Sequence, residues 1–233
     1  MRTVLVVLMS ALPLENATLS AASQCLDNHP AVTVQIRDYA HLKSDHLSKA
    51  REMVTRMYKR VGVGIEWLGA IPEDVGGKRT APAGGAAHLS IAQLTINIVT
   101  PSMARRGGFA DDVLGFVAVP PEGGMGRIGY VVYERIRDVA AGGPANTTDI
   151  LGLIIAHDIG RLILGAGSGT HDGVMNRQWD RHDLERVNPL ALEFTPPEIE
   201  RLRTTLERNS TSSPVGTGGS VRSECLSSRD NVE

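Results

Sequence analysis

The stretch from Ile150 to Trp179, ILGLIIAHDIGRLILGAGSGTHDGVMNRQW, constrains the fold more than any other. Ile150, Leu151, Leu153, Ile154, Ile155, Ile159, Leu162, Ile163 and Leu164 are apolar nearly all round a helix. A helix of that kind is buried rather than laid on a surface. A chain that holds one must wrap other elements around it. His157, Asp158 and Arg161 are set into this apolar run, and polar groups in such surroundings are costly unless something satisfies them. Gly165 ends the helix.

Histidines four apart lie on one helical face and grip one ion, while a glutamate between them activates metal-bound water; this is the chemistry of H-E-x-x-H. The chain reads H-D-I-G-R there, with His157 at the first ligand position, Asp158 at the general base and Arg161 at the second ligand. Beyond Gly165 come His171, a possible third ligand, then the tight turn Gly173-Val174-Met175, and Trp179. Together these residues resemble the metzincin zinc metalloproteases, whose H-E-x-x-H-x-x-G-x-x-H helix is followed by a methionine turn beneath the zinc. They are most similar to a group of small, secreted, metzincin-like bacterial proteins that read roughly H-E-[IL]-G-H-L-L-L-G, a short loop, H, then G-I-M and W.

The resemblance spans roughly Val32 to Arg208 and implies a single α/β (α+β) domain. Its expected parts are a twisted mixed sheet, a long first helix, a central helix carrying the site, the Met-turn and a small C-terminal helical part. It also implies an antiparallel edge strand that lines the cleft and pairs with a peptide substrate. The implied cofactor is zinc if the protein is active, and none otherwise. In the zinc-bound case His157 and His171 would be ligands, Asp158 the residual base or an oxygen ligand, Asp172 a substitute oxygen ligand, and Met175 the floor.

Two of the four chemical positions depart from the pattern. Aspartate has one methylene less than glutamate, roughly 1.5 Å of lost reach for a hydrogen-bonded base. Arg161 is always protonated and has no lone pair to offer, so it is no zinc ligand and repels a cation. His171 also follows His157 by fourteen residues rather than ten, a difference that a longer loop accommodates. Asp158 and Arg161, three residues apart on one helix, are expected to pair and neutralise a pocket once filled by zinc. The ordinary alternative is that His157 and Arg161 are merely satisfied polar residues of a core helix. These departures point to lost or strongly reduced proteolysis; a non-enzymatic secreted module that binds a peptide or protein in the remnant cleft is the alternative.

At 233 residues with net charge −2, the chain suits one good-sized domain or two small ones and offers no basic field for nucleic acid. The start, MRTVLVVLMSALPL, has a basic residue, an apolar run too short to span a membrane, and small residues at Ala21-Ala22-Ser23. This order reads as a signal peptide over 1–23 for a secreted or periplasmic protein with no transmembrane anchor; a buried first strand is the alternative. Cys25 and Cys225, the two cysteines, either pair in an oxidising compartment or stay free.

The domain is expected over 24–208. Val32 to Tyr39 alternates as a strand, Ser44 to Val61 repeats apolar residues at helical spacing, and Gly64 to Trp67 reads as a second strand. Strand, helix, strand predicts a parallel pair. Pro72 to Ala87 reads as a loop, His88 to Val99 as a strand, and Met103 to Asp112 as a charged loop. Leu114 to Val119 and Arg127 to Tyr133 form an expected hairpin, either strand of which could be the cleft edge. Thr147, Thr148 or Asp149 are candidate caps of the central helix. Asp180 to Val187 reads as a short charged helix with His182 on a solvated face. Thr195-Pro196-Pro197-Glu198 is a capping box for a last helix ending near Arg208, and 209–233 reads as a disordered tail.

Overall fold

The structure, a computed structural model, describes residues 30–69, 90–176, 179, 184 and 188–212. The expected signal peptide, both cysteines, His182 and the segment 213–233 lie outside the described residues, as does most of the short helix expected over 180–187.

β1 (Ala31–Asp38) leads into α1 (Ser44–Arg60) and β2 (Gly64–Leu68). β2 pairs with β1 in parallel, as a crossover unit requires. β3 (Ser90–Val99) joins the other side of β1, also in parallel. β5 (Ile128–Val132) runs parallel to β3, and β4 (Gly115–Ala118) closes the sheet antiparallel to β5. The order β2-β1-β3-β5-β4 places β2 at one edge and β4 at the other, so of the two hairpin strands β4 is the one at an edge. Among the described residues no strand pairs with its outer side, so one row of its backbone groups is left to other partners.

α2 (Pro101–Arg106) lies where a charged loop was expected over Met103 to Asp112. Thr100 caps it by accepting from the Met103 N–H at 3.3 Å, with proline in its first turn. The strand expected to run through Tyr133 ends at Val132, and α3 (Tyr133–Ala140) begins without a break. Its buried Tyr133, Ile136 and Val139 recur every third residue. After α4 (Thr147–Leu164) and the short turn Pro189–Ala191 comes α5 (Pro196–Ser212), which runs past the expected end at Arg208 into the segment read as tail.

α4 is the centre of the core. From Ile150 to Ile163 every residue but Arg161 is buried, and the helix shares one hydrophobic cluster with Val32 and Val34 of β1, Ile96 and Ile98 of β3, and Met53 and Met57 of α1. Each large apolar side chain so buried contributes about 1.5–3 kcal/mol relative to exposure. The crossing with α1 is close, because a Cβ on Gly152 would lie 2.7 Å from the Met53 sulfur. The N-cap is Asn146, whose side chain accepts from the Asp149 N–H at 2.9 Å, rather than the expected Thr147, Thr148 or Asp149. Gly165 ends the helix at φ 78°, where a Cβ would sit 2.6 Å from the Gly124 carbonyl oxygen. The turn that follows α4 therefore excludes side chains at this position. No described helix is long and apolar enough to cross a membrane.

Candidate functional site

The last turns of α4 carry His157 and Asp158, 7% and 2% exposed, and the half-buried Arg161. His157 Nδ1 lies 2.9 Å from the Val174 carbonyl oxygen. A carbonyl only accepts, so Nδ1 carries the proton and Nε2 is left as an acceptor. Trp179 Nε1 donates to the same oxygen at 3.3 Å. One carbonyl of the Gly-Val-Met turn thus joins the helix histidine to the tryptophan, and the motif read along the chain closes in space.

The turn itself is built tightly. Gly173 has φ 72°, and a Cβ there would meet the Glu193 carbonyl oxygen at 2.8 Å. Val174 N–H donates to that same oxygen at 3.2 Å. Met175 is fully buried, its sulfur pressed against Gly160 of α4 where a Cβ would overlap it. Glu198, fully buried at the start of α5, accepts from the Thr195 N–H at 2.7 Å and bonds Thr170 Oγ1 at 2.6 Å. The capping box expected from the sequence therefore does a second thing: it ties the loop of Thr170, which leads into Gly173-Val174-Met175, to α5.

Burial sets the charge states. The His157 imidazole is pushed down to about 4, first by desolvation and further by the Arg161 charge, against the opposing pull of the Val174 hydrogen bond. It is neutral near pH 7. Burial raises the Asp158 carboxyl well above the usual carboxylate range, and the Arg161 charge only partly opposes this. Asp158 Oδ2 has no hydrogen-bond partner, and neither has the buried Arg161 Nε. The expected Asp158–Arg161 pair is not formed: among the described residues the ion pairs are Lys49–Asp45, Arg60–Glu193 and Arg135–Asp111. Asp158 Oδ2 turns to β4, so close that a Cβ on Gly115 would lie 2.7 Å from it.

His157, Asp158 and Arg161 face a cavity of about 490 Å³ between α3, α4 and β4. Val113, Leu114, Val139, Ile154 and Trp179 give it apolar walls, and Asp111, Asp112 and Asp138 stand at its exposed mouth. Arg135 was not singled out in the sequence, because α3 was not recognised as a helix. It is 8% exposed, donates to the Ala110 and Val113 carbonyl oxygens at 2.6 and 2.7 Å, and pairs with Asp111 at 3.1 Å. It fixes the segment that leads into β4.

His171 and Asp172 do not join this cavity; both are exposed on the loop before Gly173. No three His, Cys, Asp or Glu among the described residues are placed to hold one metal ion. Arg161, beside His157 and Asp158 in the cavity, is a cation with no lone pair. The described donor set, one imidazole nitrogen and one buried carboxyl beside a guanidinium, does not fit zinc, which takes three or four ligands at fixed geometry.

No family model matches the chain, and no curated protein matches it. Among solved structures, it is similar to archaemetzincin from Methanopyrus kandleri at 14% identity and a TM-score of 0.43, over 78% of this chain and 97% of that one.

Proposed function

We propose that this chain is a metallopeptidase-like protein of metzincin type whose proteolytic activity is lost or strongly reduced, and that its cleft holds an extended peptide or protein segment. The N-terminal run supports placing it outside the cytoplasm, as a secreted or periplasmic protein. The family reading is supported by three placements: His157 on a buried helix, its ring bonded to the carbonyl of a Gly-Val-Met turn, and an antiparallel edge strand beside them. The loss of hydrolysis rests on one observation above the others. Arg161 occupies the second ligand's position and enters no ion pair among the described residues, so a divalent cation there would meet a like charge. The edge of β4 offers backbone pairing to an extended chain, which gives affinity with little sequence preference.

The test is zinc content and peptide cleavage of the purified chain after dialysis against zinc, beside His157→Ala and the double change Asp158→Glu with Arg161→His. The wild-type chain is expected to hold far less than one zinc and to cleave nothing, and the double variant to gain zinc. About one zinc per wild-type chain, lost in His157→Ala, would refute the reading. A double variant that stays metal-free would show that the site had been wrongly assigned.

A further inference from the structure

The cavity beneath β4 holds three polar groups that the protein itself leaves unused. Arg161 Nε is buried without an acceptor, and its guanidinium enters no ion pair among the described residues. Asp158 Oδ2, on a side chain 2% exposed, is likewise without a partner. His157 is held through Nδ1, and among the described residues nothing bonds its Nε2. Buried polar atoms in folded proteins are nearly always satisfied, so two exceptions around one cavity, Asp158 Oδ2 and Arg161 Nε, ask for a ligand.

We infer that this cavity takes the free C-terminal carboxylate of a peptide that ends in an apolar residue, an assignment that rests on the peptide-binding reading of the cleft. A guanidinium presents a planar fork of donors that matches the two oxygens of a carboxylate. The amide N–H of the last residue is the donor that His157 Nε2 lacks. The walls of Val113, Leu114, Val139, Ile154 and Trp179 suit an apolar side chain. At about 490 Å³ the space falls within the roughly 300–1,000 Å³ of small-ligand sites, too small for a folded partner.

The charge at the mouth selects among anions. Asp111 is neutralised by Arg135, while Asp112 and Asp138 face solvent with no partner among the ion pairs found. They disfavour a multiply charged phosphate more than a single carboxylate. Gly115 of β4 and Arg161 line the same cavity, so a peptide on the β4 edge and its carboxylate would share one site. The residue that excludes a metal thereby gives the cleft a terminus-specific anchor.

The experiment compares an N-acetylated Thr-Val-Thr-Leu peptide bearing a free carboxylate with its C-terminal amide, by calorimetry on the full chain. The acid is expected to bind at least about tenfold more tightly than the amide, the scale of a hydrogen bond to a charged group. Arg161→Gln should abolish that difference, and Arg161→Lys should retain part of it. Equal binding of acid and amide overturns the carboxylate assignment and leaves the cleft reading standing. No binding of either overturns both. A preference that survives in Arg161→Gln puts the carboxylate elsewhere and also overturns it. Should Arg161→Gln fail to fold, competition on the wild-type chain decides: acetate is expected to displace the acid peptide better than inorganic phosphate, and the reverse order refutes the proposal.

Discussion

His157 makes the acid stability of this protein a direct test of how its core is built. Its imidazole titrates near 6.5 in an unfolded chain but at about 4 in the fold, chiefly because burial penalises the charged ring. The folded value lies below the unfolded one. Stability from this group is therefore fully present above 6.5 and is lost as pH falls toward about 4, since the unfolded chain takes the proton first. The gap between 6.5 and about 4, at about 1.4 kcal/mol for each pH unit, comes to on the order of 3 kcal/mol. That is a large share of a typical total of about 5–15 kcal/mol. The perturbation is His157→Asn, which keeps an amide N–H near the position of Nδ1 to serve the Val174 carbonyl but does not titrate. Urea unfolding of both chains at several pH values between about 7 and 4, with a chelator present, gives the difference in stability. Carboxylates that titrate in this range are common to both and cancel. The wild-type advantage is expected to shrink by about 3 kcal/mol over that interval. A difference that stays flat with pH would mean that the ring is solvated or paired with an anion, and the account of a neutral buried histidine would fail.

Asp158 has the opposite sign. Its folded value is raised, so its contribution is present below the unfolded 3.8 and lost as pH rises through the folded value. Asp158→Asn should then stabilise the protein by about 1 kcal/mol or more near pH 8 and have little effect near pH 3.5, as read by urea unfolding; a loss of stability at pH 8 would show an ionised, well-paired carboxylate instead. Gly160→Ala would gain about 1 kcal/mol from helix propensity alone, but the new Cβ overlaps the Met175 sulfur. A net loss of about 1–3 kcal/mol in thermal unfolding is expected, and a gain would mean that Met175 is free to move. Glu198→Ala removes a bond to the Thr195 N–H and one to Thr170. It should cost on the order of 2 kcal/mol and speed hydrogen exchange at the Val174 and Thr195 amides; unchanged exchange would separate the capping box from the Met-turn loop.

The parts of this fold that were legible in the sequence are those whose signal is local. The β1–α1–β2 unit follows from alternation in Val32 to Tyr39 and helical spacing after Ser44, and its parallel pairing from the rule for crossovers. The buried helix shows in composition alone. α2 was missed because six residues are too short to display a period, and α3 because it leaves β5 at Tyr133 with no glycine or proline to mark the change. The cap fell on Asn146 because its side chain reaches the Asp149 N–H, a choice among adjacent polar residues that spacing does not make. At the site, His157, Val174 and Trp179 stood out in the sequence as parts of one motif, but the hydrogen bonds that join them did not. The separation of Asp158 from Arg161 was not legible either. Their spacing of three permits a pair, and the approach of Asp158 Oδ2 to Gly115 on a distant strand is a tertiary contact that spacing does not show.

On the proposed reading, the retained and altered positions divide by the work each does in the fold. His157 holds the Val174 carbonyl, Gly173 fits against Glu193 where no side chain could, and Met175 fills the space under Gly160. Each of these would cost stability if changed, whether or not a metal were ever bound. The base and second-ligand positions have no such contacts: Asp158 Oδ2 and Arg161 Nε bond nothing. Groups that serve only chemistry are free to change once the chemistry is gone, whereas groups that also brace the scaffold are not. A histidine and a methionine turn therefore argue for the architecture of this site, and Arg161 decides what the architecture can still do. A terminus-anchored cleft is the use that requires no further change, since the guanidinium, the free imidazole nitrogen and the unpaired strand edge already stand around one cavity.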